Sequence, residues 1–181
     1  MSKELAIEKI QSASAVLALV KSLYRQLKEV ENAKFDEMRG YFDFLVLLQT
    51  SIYSAVVLNL YHLLKDGEKH SLSKIVNLSV QHLDLKKETS DKLKQELADS
   101  EKHIERLVEN RDKRIAHFDK KGIAPLDDKT LDHLLKIAEN QLKTLNQDAL
   151  KRDHSFDIPF SKGMNDCMEI LSSEFRKITG K

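Results

Sequence analysis

The side chains best equipped for chemistry crowd into one short stretch. Residues Glu109-Asn110-Arg111-Asp112-Lys113-Arg114-Ile115-Ala116-His117-Phe118-Asp119-Lys120-Lys121 place five cations and a histidine between Arg111 and Lys121, against two aspartates. Arginine offers a permanently charged planar fork that matches a phosphodiester. Histidine, with an ordinary pKa of about 6.5, gains and loses a proton near neutrality. Together they can cleave RNA without a metal. The imidazole takes the 2′-hydroxyl proton or gives one to the leaving oxygen, while the guanidinium holds the charge on the phosphoryl oxygens. The products would be a 2′,3′-cyclic phosphate and a 5′-hydroxyl. A second reading is a solvated helix end, because cations at a helix C-terminus gain about 0.3–1 kcal/mol from the macrodipole.

Spacing constrains the first reading. On an unbroken α-helix, Arg111 and His117 stand about 120° apart in azimuth and about 9 Å apart along the axis. His117 instead shares its face with Asn110, Lys113 and Arg114. Three arrangements bring the pair to one phosphate: a helix that loosens near Ala116, a long arginine reaching around, or a dimer with two motifs across a cleft. Arg111 and His117 are the catalytic candidates, with Asn110, Asp112, Lys113 and Arg114 as RNA-binding or supporting residues.

Other chemistries lack their residues. The seven histidines, His62, His70, His82, His103, His117, His133 and His154, include no pair three or four apart, so no metal site is expected. No glycine-rich loop opens a helix as a phosphate cradle, no serine sits in a G-x-S-x-G elbow, and no cofactor is implied. Cys167, the single cysteine, falls on an apolar helix face, reads as a buried and inert thiol, and excludes an intramolecular disulfide. Asn77-Leu78-Ser79 matches a glycosylation sequon that matters only on secretion. Lys3, Glu4, Glu8 and Lys9 interrupt what would be a signal-peptide core, so a cytoplasmic location is expected.

The elements that must position the candidates are helical. The 181 residues include 30 Lys plus Arg and 29 Asp plus Glu, a net charge of +1, which excludes a polycationic nucleic-acid coat and leaves only local basic clusters. With 41% hydrophobic and 33% charged residues, 5 Gly and 2 Pro, the composition is globular. Trp is absent and aromatics are 6%, which argues against stacking platforms for single strands. Apolar residues recur every three or four positions from Leu5 to about Ala33, and a second helix runs from near Phe35 to Leu64. Lys65–His70 is a turn, and a short helix follows Ser71. Thr89 or Ser90 caps a long helix over about 89–120, Asp127 or Asp128 caps the next, and a last helix covers 160–178. No stretch alternates as a strand. The expectation is one all-α domain over residues 1–181, an up-and-down bundle of four long helices with one or two short ones.

Phe44–Leu64 carries no formal charge and is long enough to span a bilayer. Its Gln49, Thr50, Ser51, Ser54, Asn59 and His62 are a heavy polar load for lipid, so a helix buried in the bundle or shared between two subunits is expected, with no membrane partner.

Arg111-Asp112-Lys113-Arg114-Ile115-Ala116-His117 resembles the R-x(4–6)-H signature of HEPN domains, and its Lys-x-x-Ala-His ending resembles the abortive-infection branch. Ser51–Asp66 is similar to the second bundle helix of that branch, Ser71–Leu78 to its next short helix, and the Asp127-Asp128 start to the segment after its motif. The likeness covers residues 1 to about 150. It implies a helical bundle, usually dimeric, often a metal-independent ribonuclease of phage defence or of a toxin–antitoxin pair, with Arg111 and His117 as the catalytic pair. The residue after the arginine is commonly Asn in the family; here it is Asp112, an added negative charge. Some toxin members carry a tyrosine two residues after the histidine, where this chain has Asp119. The implied partners are RNA, a second copy of the chain and, in the toxin setting, an antitoxin protein. His62 and Asp66, at the end of the second helix, are placed to reach the cleft or to serve as core and cap. Two other readings stay open: an inactive RNA- or nucleotide-binding module of the same fold, and a helical interaction protein with a basic helix end.

Overall fold

A computed structural model describes residues 2–31, 42–115 and 124–156, and these are all-α, with no strand among them. Six α-helices follow one another: α1 Lys3–Glu31, α2 Phe42–Leu64, α3 Leu72–His82, α4 Lys87–Asp99, α5 Glu101–Asn110 and α6 Asp128–Thr144. Two π-helical turns extend them, Arg111–Ile115 after α5 and Leu145–Ala149 after α6. The expected C-terminal helix at 160–178, with Cys167, and the expected start of the second helix near Phe35 lie outside the described residues.

The apolar spacing read from the sequence is what the core uses. Ile10, Ala13, Leu17, Val20, Leu27 and Val30 line one face of α1 and are buried. They meet Ile52, Val56, Val57, Leu60 and Leu63 of α2, the most extensive helix–helix contact among the described residues. Leu72, Ile75 and Val76 of α3, Leu93 of α4, Leu107 of α5 and Leu131, Leu134, Ile137, Ala138 and Leu142 of α6 join the same core. Each fully buried Leu or Ile contributes about 1.5–3 kcal/mol. Polar ties fix the register: Gln141 Nε2 donates to the Leu93 carbonyl, and Asn146 Nδ2 to Ser14 Oγ.

By length and apolar content, Asp43–Leu64 is the one helix among the described residues that could cross a bilayer, yet 39% of its most apolar window is buried within the fold. Its outward residues include Phe44, Val46 and Leu47, the last 65% exposed.

Two expectations need correction. The helix that leads into the motif starts at Lys87, not at a Thr89 or Ser90 cap. Lys86 holds the extended cap conformation, Thr89 Oγ1 donates to Asp148, and Ser90 is buried. Nor is it one long helix over 89–120. Ser100 (φ −100°, ψ 6°) divides α4 from α5, its hydroxyl turned back onto the Glu96 carbonyl and its own carbonyl accepting from the His103 N–H. The described bundle therefore has three long helices, α1, α2 and α6, and three shorter ones. The cap of α6 is as expected: Asp127 Oδ1 accepts from the Thr130 N–H at 2.7 Å.

The turn after α2 is tightly held. Gly67 takes φ +90°, Asp66 Oδ1 accepts its N–H at 2.9 Å, and Lys74 Nζ donates to its carbonyl at 2.5 Å.

Candidate functional site

The motif begins where the α-helical winding stops. α5 ends at Asn110, and Arg111 through Ile115 wind as a π-turn, a wider coil that recurs at functional sites. The loosening thus starts five residues before Ala116. His117, the second catalytic candidate, lies with residues 116–123 outside the described part of the chain.

Helix α2 receives this helix end on two tyrosines. Tyr53 and Tyr61 are eight residues apart, about 12 Å along the axis and about 80° apart in azimuth. At the first, the Tyr53 hydroxyl donates to Asn110 Oδ1 at 2.8 Å and accepts the Leu126 N–H at 2.8 Å, while Asn110 Nδ2 donates to the Ala124 carbonyl at 3.0 Å. Asn110 is only 2% exposed. Its amide is spent on fastening the chain that leads into α6, which makes it a positioning residue rather than a surface contact. Burial pushes the Tyr53 phenol up from its ordinary value, so it stays protonated and able to donate.

At the second tyrosine, the Arg111 guanidinium lies over the Tyr61 ring at 4.7 Å, a cation–π contact. One terminal nitrogen donates to Asp112 Oδ1 at 2.7 Å, and Nε is buried without an acceptor. The side chain is 35% exposed. The bond to Asp112, ahead of the nearby Tyr61 and Glu68, favours the charged guanidinium. Arg111 is therefore a fixed cation with hydrogen-bonding capacity unspent.

The remaining candidates surround it. Lys113 Nζ donates to Glu109 Oε1 at 2.5 Å one turn back, an exposed pair of small energetic value. Arg114 is exposed and lies over the Tyr53 ring at 5.6 Å, at the edge of a cleft of about 910 Å³ that Gln49, Thr50, Asp127 and Lys129 also line. Asp112 and Lys113 face a second groove, about 760 Å³, shared with Asp66 and Glu105. His62 pairs through Nδ1 with Glu68 Oε2 at 3.1 Å, and Asp66 holds the turn. Among the described residues no three His, Cys, Asp or Glu side chains gather as a metal site.

Three participants escape a motif-based reading: Tyr53, Tyr61 and Glu68. The two tyrosines carry a readable signal, since an eight-residue interval brings two side chains to neighbouring faces of one helix. Glu68 has none, because its relation to Arg111 is made only by folding.

Comparison of the chain with protein-family models, with curated proteins and with solved structures finds no match.

Proposed function

We propose that the protein is a HEPN-like, metal-independent endoribonuclease of the phage-defence or toxin type, with Arg111 and His117 as its catalytic pair. The observation that carries this reading is the Arg111 guanidinium, clamped on Tyr61 at a π-turn, its side chain 35% exposed, six residues ahead of a histidine. A cation so placed suits the negative oxygens of a phosphodiester as charge builds in the transition state. Arg114, above Tyr53, and Lys113 add cations along the same turn for flanking phosphates.

The proposal includes a homodimer. Phe44 and Leu47 lie one turn apart on α2 and are 49% and 65% exposed, an apolar stripe that a second copy would cover. In sedimentation velocity, Leu47→Lys is expected to weaken dimerisation at least tenfold while leaving helicity intact; an unchanged sedimentation coefficient would place the dimer elsewhere.

The decisive experiment is cleavage of an end-labelled RNA pool in EDTA by wild type, Arg111→Ala and His117→Ala, with fragment ends read by mass spectrometry. The expected result is cyclic-phosphate ends from wild type alone, with a loss of 10²–10³-fold or more in each variant. A second reading, an RNA- or nucleotide-binding module without cleavage, draws support from Asp112, which neutralises part of Arg111 in place. Under it, Arg111→Ala weakens RNA affinity, His117→Ala does not, and wild type yields no fragments.

A further inference from the structure

The groove of about 760 Å³ beside the motif has an apolar floor and acidic walls. It runs between α4 and α5 on one side and the corner where α2 leads into α3 on the other. Leu64, Leu97, Ile104 and Val108 form the floor, the last three only partly covered by the core they pack against. Ala98 adds an exposed apolar residue at the end of α4. Ile104 and Val108 stand one turn apart on α5, so the floor follows that helix as a strip.

Glu101, Glu105 and Glu109 recur every four residues along α5, and Asp66 and Asp112 join them on the walls. Lys65, Lys94 and Lys113 oppose these five carboxylates, which leaves the lining with a net charge of −2. Lys113 is already paired with Glu109, and Asp112 with Arg111. Glu101 and Glu105 are exposed. A wall of that sign repels a polynucleotide or an anionic membrane surface, so the groove does not extend an RNA-binding face.

The floor calls for apolar side chains and the walls for cations, both on one ligand. A helix with Leu or Ile every three or four positions and Lys or Arg on its flanks supplies them together. From Glu101 to Asp112 the wall runs about 16 Å, room for about three turns of such a helix. We propose that this groove docks a cationic amphipathic helix of a protein partner. Leu97, Ile104 and Val108 receive its apolar face, and Glu101 and Glu105 its basic flank. The proposal goes beyond the ribonuclease reading and stands apart from it, since it uses neither Arg111 nor a histidine.

The test is fluorescence anisotropy with the full chain and a labelled three-turn peptide that has Leu every three or four positions and Lys elsewhere. The comparison peptides are its Leu/Glu counterpart and a scrambled order of the same composition. Wild type is expected to bind the Leu/Lys helix at least tenfold tighter than either, more weakly as salt rises. The double variant Glu101→Lys/Glu105→Lys should lose at least tenfold with helicity unchanged. Ala98→Gln, which places a polar side chain over the floor, should lose several-fold. Glu4→Lys/Glu88→Lys makes the same change of charge at exposed positions outside the groove and should stay within twofold. No binding, equal binding of the scrambled peptide, or an equal loss in the Glu4/Glu88 variant would overturn the proposal. So would full affinity in Ala98→Gln, which would take the peptide off the floor. If Glu101→Lys/Glu105→Lys instead lowers the sedimentation coefficient of the protein alone, the groove belongs to a contact between two copies, and the proposal falls.

Discussion

Tyr53 and Tyr61 belong to one helix and grip one helix end, yet they do so in opposite ways. At Tyr53 every polar group is paired: the hydroxyl both donates and accepts, and Asn110 spends its amide oxygen and nitrogen inside the protein. At Tyr61 the pairing is incomplete: Arg111 keeps a buried Nε–H without an acceptor, and its charge faces solvent in part. A buried, saturated network specifies structure, because removing any member strands the others. A buried donor without a partner costs stability, and a ligand would meet Arg111 through the part of its guanidinium that faces solvent. The two rungs thus divide a saturated anchor from a partly exposed cation.

Substitutions can break that division, and the most damaging falls on the holding side. Asn110→Ala leaves the Tyr53 hydroxyl and the Ala124 carbonyl without their partner and opens a small void. It is expected to cost about 2–3 kcal/mol, read as a lower urea midpoint at unchanged slope. A loss below about 0.5 kcal/mol would mean the network is not the anchor described. Tyr61→Leu tests the other rung. With the ring gone, the cation–π contact worth about 0.5–2 kcal/mol goes too, and RNA affinity should fall several-fold while the urea midpoint moves little. A stability loss with affinity intact would make Tyr61 a core residue only.

The smallest effect concerns a pair away from both rungs. The rings of His103 on α5 and His133 on α6 lie 4.3 Å apart, and Nδ1 of His103 is buried without a partner. Burial, then His133 and Arg106, hold His103 below its ordinary value, against a weaker pull from Asp127. The unfolded chain therefore binds that proton more readily. This contribution to stability is fully present above about pH 6.5 and is lost as pH falls below it. His70, depressed in the same direction, adds to the slope. Urea midpoints at pH 7.5, 6.5 and 5.5 should decline, and His103→Leu should flatten part of the decline. A slope identical in the variant would exclude the pair as its source.

Much of this architecture is legible in the residues alone. The steps of three and four from Ile7 to Val30, the cap at Asp127 and the turn at Gly67 are local facts, set by side-chain periodicity and backbone preference, and the structure contains each of them. The break in the motif helix is not legible because serine is tolerated in helices, and the bond of the Ser100 hydroxyl to the carbonyl four residues earlier is one that a serine also makes inside a continuous helix. That Asn110, an RNA-binding or supporting candidate by sequence, is a buried anchor was equally illegible, as its partners Tyr53 and Ala124 lie 57 and 14 positions away.

By itself, then, the sequence determined the helical class, several helix ends and the cluster of cations with its histidine, all of which depend on neighbours within a turn or two. Only the tertiary structure decided that Arg111 lies on Tyr61, that Asn110 is an anchor, and that Glu68 pairs with His62. The physical reason is that burial and hydrogen-bond pairing are set by groups brought together across the core, and no spacing along the chain encodes which donors will be left over.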